Sequence, residues 1–407
     1  MKGFFSKEQT QLKGGEVKGF SCATCGLYKN AHTPRMKPYG NFKKKIMVIG
    51  EAPAQEDDKK GKPFHSQGGR FLQRKLKKLG IDLFEDCICL NAVNCHPINK
   101  KGETKAPSDH EIACCKSKVF GAIRKYQPKV IILLGGIPTT SLVAYRWKGG
   151  ASGINLWRGW TIPDREYNAW VCPTFHPIFV TRQKENNEEV DLIWEQDLKQ
   201  AISVLDEPFP YPQKEEECVV ITDDIAWVLE EMSKSNMMAF DLETTGIKPY
   251  NKDIHEIVAI SFCNDENKAY ACPFPTDRKL IKKLKNLLEN PQIGKIATNM
   301  KYEDTWLNIL HGIKVYPWKF DTMLGAHILD NRPGITGLKF QYYVRFGLLG
   351  YGDEIAPYLK ASDAYAKNRV MELMGSKEGR QKLLLYNGID SLASYRLAML
   401  QMKELNI

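Results

Sequence analysis

The alternation of apolar and polar residues indicates a mixed α/β structure in the first half of the chain. Short apolar runs typical of buried strands are "KIMVIGEA", "CICLNAV", "KVIILLGG" and "WVCPTF". Between them lie segments with apolar residues at helical spacing, such as "GGRFLQRKLKKLG" and "DHEIACCKSKVFGAIRKYQ". Strands that alternate with helices usually form a parallel sheet covered by helices. We therefore predict an α/β domain with a central parallel sheet.

The second half begins with the pattern "VITDDIAWVLEEMSKS", which predicts a helix. Strand patterns follow in "MMAFDLE", "EIVAISFCN" and "KAYACPF", and most of the remainder is helical in pattern. Between the halves, "LDEPFPYPQKEEEC" combines three prolines with a run of acids, a composition typical of a linker. These features predict a domain at residues 1–207, a linker at 208–218 and a second α/β domain at 219–407.

Charge and cysteine content narrow the classes of partner and cofactor. The formal net charge of +10, with lysine clusters such as "NFKKKI" and "RKLKKLG", favours a nucleic acid partner over a merely solvated basic surface. No run approaches the roughly 18 apolar residues of a membrane span, and no secretory signal is visible, so we expect a cytoplasmic protein without a membrane partner. Eleven cysteines in such a chain indicate metal, cluster or buried thiols rather than disulfides.

Acidic residues of the second half form a candidate metal site. Asp241 and Glu243 in "MAFDLETTGI" point to one side of a strand where it ends. Two carboxylates this close repel each other unless a cation compensates, so the pair indicates a Mg²⁺ or Mn²⁺ site, the alternative being a solvated pair. Further candidates are Asn299, Glu303 and Asp304 in "ATNMKYEDTWL", and Tyr386 and Asp390, one helical turn apart in "LLYNGIDSLASYRL".

This ordered set, together with "FDTMLGAHILD", resembles the three exonuclease motifs of the DEDDy group of 3′–5′ exonucleases, in particular the proofreading domain of DNA polymerase I. The resemblance covers about residues 219–407 and implies a ribonuclease H-like fold. It also implies phosphodiester hydrolysis with two Mg²⁺ or Mn²⁺ ions. Asp241 would bridge both ions, Glu243 and Asp390 would complete the site, and Tyr386 would hold the attacking water.

The second exonuclease motif departs from the family pattern. Glu303 stands where the family usually has aspartate, and Asp304 follows it directly, so either could bind the outer ion. We expect Asp321 to support the site structurally, with a ligand role as the alternative. Lys301 either contacts the phosphate or lies on the surface.

Four cysteines of the first half form a second candidate site. Cys22 and Cys25 in "CATC" have a spacing shared by redox and zinc sites. Cys95 in "LNAVNCHP" and Cys115 in "EIACCKS" could complete a tetrahedral thiolate site for zinc or a [4Fe–4S] cluster. Burial in the core explains the remaining candidates better: Cys87, Cys89, Cys172, Cys263 and Cys272.

The segment "VIGEAPAQEDDKKGKPFHSQGGRFL" resembles the GEAPG…G-x-PF…G motif of the family 4 uracil-DNA glycosylases, which carry a [4Fe–4S] cluster. "LNAVNCHP", "INLWRGW" and "PTFHPIF" are similar to later motifs of that family. The resemblance spans roughly residues 18–205 and implies a uracil-DNA glycosylase-like α/β fold. It also selects Cys115 rather than the adjacent Cys114 as the fourth cluster ligand.

The same resemblance implies a base-binding pocket. Phe64 would stack on a flipped uracil and Asn91 would read its polar edge, while Glu51 belongs to the first motif and His176 would stabilise the departing base. Three positions depart from the family pattern and could close this pocket: Ala54, Ser66 and Ile178. The first domain therefore either excises uracil or is an inactive module that binds DNA or a polymerase.

A glycosylase-like domain followed by a proofreading exonuclease resembles the N-terminal part of certain bacteriophage DNA polymerases. No polymerase palm sequence is visible, so we expect a separate polymerase subunit, a missing polymerase domain, or a protein that works alone. The leading hypothesis is a metal-dependent 3′–5′ exonuclease that acts on single-stranded DNA or 3′ ends in replication or repair. An exoribonuclease is the alternative, because RNA-trimming enzymes share the acid set, although the glycosylase-like half argues against it.

Overall fold

The computed structural model of the protein describes four ranges of the chain: 20–148, 153–183, 187–208 and 214–407. The chain divides into two compact units, the first comprising residues 1–210 with 343–347 and the second 211–342 with 348–407. Each unit has a β-sheet of its own. Among the described helices, none is both long and apolar enough to span a membrane.

The sheet of the first unit has five strands in the order β2-β1-β3-β5-β4. β1, β2, β3 and β5 are parallel, and β4 runs antiparallel to β5 at one edge. The predicted strands and their parallel arrangement are confirmed, whereas β4 was missed because three residues carry no readable alternation. The strands are β1 (Ile46–Gly50), β2 (Cys87–Asn91), β3 (Val130–Leu134), β4 (Ile162–Asp164) and β5 (Ala169–Thr174).

Helices of the first unit bury apolar side chains against this sheet. Phe71 stacks on Trp194 with ring centroids 5.1 Å apart, and both belong to the same core as Ile46 and Val130. The described helices are α1 (Cys22–Cys25), α2 (Gln55–Lys60), α3 (Gln67–Lys78), α4 (Asp109–Tyr126), α5 (Gly136–Leu142), α6 (Ile154–Trp157), α7 (Pro177–Gln183) and α8 (Glu189–Ser203), with 3₁₀ turns at Leu27–Lys29 and Ala144–Arg146.

The sheet of the second unit is mixed, with the order β11-β10-β7-β8-β9-β6. β7, β8 and β9 pair antiparallel, while β10 is parallel to β7, β11 to β10 and β6 to β9. The strands are β6 (Val219–Ile221), β7 (Met237–Thr244), β8 (Ile257–Asp265), β9 (Lys268–Pro273), β10 (Gly294–Ala297) and β11 (Trp318–Asp321).

A long helix, α17, crosses this second sheet. The Ser261 hydroxyl of β8 donates a hydrogen bond of 2.8 Å to the carbonyl of Asn387, and Leu392 shares a buried cluster with Ala239 of β7. The helices from residue 215 onward are α9 (Glu215–Cys218), α10 (Ile225–Ser233), α11 (Arg278–Leu288), α12 (Met300–His311), α13 (Thr322–Leu329), α14 (Leu338–Phe346), α15 (Ala356–Leu359), α16 (Val370–Met374) and α17 (Lys377–Leu405).

The segment predicted as one helix from Val220 is helical only from Ile225. The Asp224 side chain accepts a hydrogen bond of 3.0 Å from the Trp227 amide and so caps the helix at its first turn. The apolar residues before this cap form β6 and pair with β9. The prediction of a single helix was wrong because the edge strand β6 and the helix α10 together form one continuous apolar pattern.

The proposed linker at 208–218 is only partly described, since residues 209–213 lie outside the described ranges. Its last four residues form α9, in which the Glu215 side chain is fully buried. The Tyr342 hydroxyl donates to Glu215 Oε1 at 3.1 Å, and the Arg396 guanidinium lies 3.4 Å from the same oxygen. One acid of the predicted spacer therefore belongs to the interior of the second unit.

Candidate functional site

Three carboxylates meet where β7 ends beside α17. Asp241 and Glu243 lie two residues apart on β7, and Asp390 lies on the helix face that crosses the strand. One oxygen from each of the three lies within 4.8 Å of the others. The strand alternation predicted that Asp241 and Glu243 share a side, and the structure brings Asp390 to them.

Burial sets the electrostatics of this cluster. It raises the pKa of Asp241 and of Glu243 well above their usual values, and the charge of Asp390 adds to both shifts. Burial likewise raises the pKa of Asp390, although nearby Lys339 opposes that rise. Carboxylates that repel each other in a dry site need either protons or cations, so the donor set suits hard divalent ions.

Glu303 is a further acid near this cluster, close enough to feel the charge of Asp241. Its side chain is buried, and burial followed by the charge of Asp241 raises its pKa well above the usual value. Its Oε2 atom has no hydrogen-bond partner among the described residues. A buried oxygen without a partner carries a desolvation cost that a bound cation would remove. The residues present therefore fit a metal site.

Asp304 is directed elsewhere. Its Oδ1 accepts a hydrogen bond of 3.2 Å from the Val315 amide, in the loop that follows α12. Of the two acids that the sequence left open, the structure places Glu303 beside Asp241 and gives Asp304 a role in holding this loop.

Asp321 joins the first turns of two helices. Its carboxylate accepts backbone hydrogen bonds from Asn299 and Met300 at the start of α12, and from Met323 and Leu324 at the start of α13. These bonds use both carboxylate oxygens, so Asp321 orients the helix that carries Glu303. The side chains of Asn299 and Lys301 are exposed at the same end of α12.

Two tyrosines lie beside Asp390, and only Tyr386 was predicted from the sequence. Tyr386 is buried near Asp390 as its position one turn earlier on α17 predicts, and its hydroxyl stabilises the ionised form of that carboxylate. Tyr351 also donates a hydrogen bond to Asp390 Oδ1. The Asn387 amide donates to Asp241 Oδ2 at 2.8 Å. Asn387 could have been noticed beside Tyr386, but spacing gives no sign of Tyr351.

Residues predicted to bind a base lie at the carboxyl ends of β1 and β2. Gly50 and Asn91 pair across these strands. A Cβ atom at Gly50 would lie 2.5 Å from Asn91 Oδ1 and 2.8 Å from Phe64 Cζ, so only glycine allows both side chains to approach the strand end. The structure thus brings together the predicted stacking and base-reading residues, with Glu51 following Gly50 directly.

His176 lies against Gly135 at the end of β3, where a Cβ would be 3.0 Å from His176 Cβ. The Ile178 amide donates to His176 Nδ1 at 3.2 Å, so a neutral ring carries its proton on Nε2. Burial lowers the His176 pKa to about 4 and raises the pKa of Glu51. At neutral pH the histidine is therefore an uncharged hydrogen-bond donor.

The three departures from the glycosylase pattern differ in consequence. The amides of Ala54 and Ser66 both donate to the buried Asp57 carboxylate, and the Ser66 hydroxyl donates to Asp57 Oδ2 at 3.1 Å, so both residues support the loop. Ile178 instead packs against Gly68, where a Cβ would meet Ile178 Cδ1 at 2.9 Å. The isoleucine thus adds apolar atoms beside the first turn of α3, whose N-cap residue is Ser66.

A cavity of about 280 Å³ separates the four predicted cluster cysteines. Burial raises the pKa of Cys115 to about 12, and the charges of Cys25, Cys95 and Cys22 add to that shift, so the four thiols surround one space. Cys114 also lines the cavity, but its Sγ lies 3.6 Å from both His110 Nε2 and Thr24 Oγ1.

Four cysteine thiols around one space suit either a zinc ion or a [4Fe–4S] cluster, since both are held by four thiolates.

Comparison with known proteins identifies both halves. Residues 37–198 match the family model for the uracil DNA glycosylase superfamily, and residues 217–344 match that for a 3′-5′ exonuclease. A type-4 uracil-DNA glycosylase of Thermotoga maritima is 32% identical over 199 residues, covering 49% of this chain and 96% of the relative. The first half of the chain belongs to the type-4 uracil-DNA glycosylase family.

The type-4 glycosylase half is followed by the exonuclease domain in the same order as in a phage relative. The DNA polymerase of Bacillus phage SP01 is 24% identical over 360 residues, covering 79% of this chain and 36% of the polymerase. The chain thus spans about a third of that relative. Brucella melitensis NrnC, solved bound to pGG, covers 46% of this chain and 79% of its own, at 18% identity and a TM-score of 0.34. Both family resemblances predicted from the sequence are confirmed.

Proposed function

We propose that the protein is a metal-dependent 3′–5′ DNA exonuclease of the proofreading type, with a type-4 glycosylase domain that binds DNA. The observation that carries this proposal is the cluster of half-buried Asp241 with buried Glu243 and Asp390, with ligand atoms within 4.8 Å, in a domain that matches a 3′-5′ exonuclease family. The partly satisfied Glu303 beside it supports a site for two Mg²⁺ or Mn²⁺ ions.

Two divalent ions bound there would supply water activation and charge stabilisation at the scissile phosphate. Asp241, Glu243 and Asp390 would hold them, with Glu303 as a further acid near Asp241. The Asn387 amide fixes the Asp241 carboxylate by its hydrogen bond to Oδ2. Tyr386 would hold the attacking water through its hydroxyl.

The substrate we propose is DNA with a single-stranded 3′ end, encountered during replication or repair. The net charge of +10 suits a polyanion, and the phage polymerase relative combines the same two segments with further sequence. A polymerase, as a separate subunit or a further domain, is the partner that this arrangement suggests.

The cofactor we propose for the type-4 domain is a [4Fe–4S] cluster on Cys22, Cys25, Cys95 and Cys115. These thiols come from α1, the loop after β2 and α4, so the cluster would fasten three distant segments of the chain. Its contribution would be to the fold of this domain, because ligand bonds formed only in the folded state stabilise that state.

Uracil excision is the second activity that an observation favours. His176 is neutral at physiological pH with a proton on Nε2, which suits stabilisation of charge on a departing base. Phe64 and Asn91 converge at Gly50, where a flipped base could stack and be read. The Ile178 side chain is the feature that argues for an inactive binding module instead.

The test uses single strands with one uracil, labelled at the 3′ or the 5′ end, with Mg²⁺ or with chelator. We expect Mg²⁺-dependent removal of nucleotides from the 3′ end, lost in Asp241→Ala and retained in Asp304→Asn. Absence of 3′ degradation with both Mg²⁺ and Mn²⁺ would refute the exonuclease. Faster degradation of a matched RNA strand would identify an exoribonuclease.

In the chelated sample, an alkali-sensitive break at the uracil would demonstrate excision. Its loss in His176→Ala, with the exonuclease intact, would assign that activity to the type-4 domain. An unbroken strand that still binds would favour the inactive module.

A further inference from the structure

A lysine and a second tyrosine lie against the exonuclease carboxylates without a role in the function proposed above. Lys339 places Nζ 4.7 Å from the centre of the Tyr386 ring and 5.7 Å from that of Tyr351. The two rings stack with centroids 5.8 Å apart and an interplanar angle of 29°. The Tyr351 hydroxyl donates to Asp390 Oδ1. A cation, two rings and a carboxylate thus form one connected group.

The Lys339 ammonium group and the Tyr386 ring both pack closely against the backbone at Gly352. A Cβ atom there would lie 2.6 Å from Lys339 Nζ and 2.8 Å from Tyr386 Cε2. A side chain there would have to displace the Tyr386 ring or the flexible end of Lys339, so glycine at this position leaves room for both groups to pack beside the main chain.

Lys339 brings a positive charge to one side of the carboxylate cluster. Its ammonium group lies over the ring of Tyr386, which stacks on the Tyr351 ring that is hydrogen-bonded to Asp390. A cation held beside ligand carboxylates repels a metal ion that enters. Lys339 therefore affects metal binding in the direction opposite to that of a ligand.

We propose that Lys339 and Tyr351 are positioning residues of the exonuclease site. Tyr351 fixes the Asp390 carboxylate through its hydrogen bond to Oδ1. Lys339 holds the Tyr386 ring against Tyr351 and balances the charge of the carboxylates. The inference rests on the proposed function, since it assigns how Asp390 and Tyr386 are kept in place for phosphodiester hydrolysis.

The first measurement is calorimetric titration of the DNA-free protein with Mn²⁺, which does not depend on nuclease activity. Tyr351→Phe keeps the stacked ring and loses the hydrogen bond, so we expect Mn²⁺ binding roughly tenfold weaker, as for other residues that orient a ligand. Lys339→Met keeps the chain length and removes the charge, so we expect binding several-fold tighter. Lys339→Arg should return the affinity toward that of the wild type.

The second measurement is the rate of 3′ nucleotide removal at saturating Mg²⁺. Lys339→Met should lower this rate about tenfold although it binds metal more tightly, because the Tyr386 ring loses its restraint. The matched controls are Lys403→Met and Tyr316→Phe, whose side chains are exposed. Both should behave as wild type in both measurements.

Weaker Mn²⁺ binding by Tyr351→Phe together with tighter binding by Lys339→Met would indicate positioning roles. A simple loss of structure would weaken binding in both variants. Affinities within twofold of wild type for Tyr351→Phe and Lys339→Met, or weaker binding in both, would overturn the proposal. If Tyr351→Phe fails to fold, the Mn²⁺ affinities of Lys339→Met and Lys339→Arg still test the proposal. The two variants could show the expected changes in Mn²⁺ affinity while the wild type degrades no DNA. That result would refute the proposed function and leave this inference standing.

Discussion

The carboxyl groups of the exonuclease site contribute to the free energy of unfolding with a pH dependence opposite to that of most surface acids. Burial raises the pKa of Asp241, Glu243 and Glu303 well above their usual values. Between the unfolded and folded pKa values, the folded protein then binds more protons than the unfolded chain. The free energy of unfolding contributed by these groups is therefore fully present at low pH and falls as pH rises.

We expect metal-free wild type to lose stability relative to Asp241→Asn as pH rises from about 5 to about 8, because the asparagine carries no charge to bury. Saturating Mg²⁺ should reverse this trend, since the ions replace protons and bind more tightly at higher pH. Thermal unfolding of both proteins across this range, with chelator and with Mg²⁺, measures the effect. A stability difference independent of pH would contradict it.

Glu303 and Asp304 differ in what surrounds them, although they are adjacent and both acidic. Glu303→Gln should lower the rate of 3′ nucleotide removal by roughly 10- to 100-fold at moderate Mg²⁺, because it removes a buried charge from the cluster. Asp304→Asn should stay within about threefold in rate, because its contact is with the Val315 amide. Equal losses in single-turnover assays of the two variants would show that the assignment is wrong.

The helices of the second unit depend on capping side chains for their direction as well as for their stability. Asp321 accepts four backbone hydrogen bonds at the starts of α12 and α13, whereas Asp277 caps only α11, through the amides of Lys279 and Leu280. The loss of Asp321 would therefore free the end of the helix that carries Glu303.

We expect Asp321→Ala to destabilise the second unit by about 2–4 kcal/mol, the sum of a lost cap and of amides left without acceptors. Asp277→Ala, at an exposed helix start, should cost about 1 kcal/mol and leave the nuclease rate unchanged. Chemical denaturation measures the first effect, and the nuclease assay shows whether Asp321→Ala also disturbs Glu303. Equal destabilisation by the two substitutions would refute the special role of Asp321.

The elements that could be predicted are those with strong periodicity. The strands β1, β2, β3, β5, β7, β8 and β9, and the helices α3 and α4, follow from apolar runs of five or more residues or from helical spacing. β10 and β11 have four residues each, too few to show alternation. Of the sites, Asp241 and Glu243 were recognisable from strand alternation alone. Lys339 and Tyr351 were not, because only tertiary packing brings them to the cluster.

The molecule as a whole has one candidate site in each of its two compact units, so we expect damage to one site to leave the other intact. The cavity of about 280 Å³ belongs to the first unit, whereas the carboxylate cluster belongs to the second. We propose that the [4Fe–4S] cluster stabilises only the first unit, which contains its four cysteines.

Cys115→Ser should therefore abolish stoichiometric iron binding and lower the unfolding temperature of the first unit, while the Mg²⁺-dependent nuclease rate stays within about twofold. Cys114→Ser, which changes a thiol that contacts His110 and Thr24 instead, should retain iron. Iron and sulfide analysis with the nuclease assay tests both variants. Iron loss in Cys114→Ser with retention in Cys115→Ser would reverse the ligand assignment.

The buried pair of Glu215 and Arg396 determines where the second unit can be cut from the chain. A fragment starting at Val219 would keep the whole sheet but leave the fully buried guanidinium without its carboxylate. Removing one partner of a buried ion pair costs roughly 3–5 kcal/mol, a large share of a domain's stability. Truncations intended to isolate the nuclease should therefore begin no later than Lys214, and a fragment that begins at Val219 is expected to be poorly soluble.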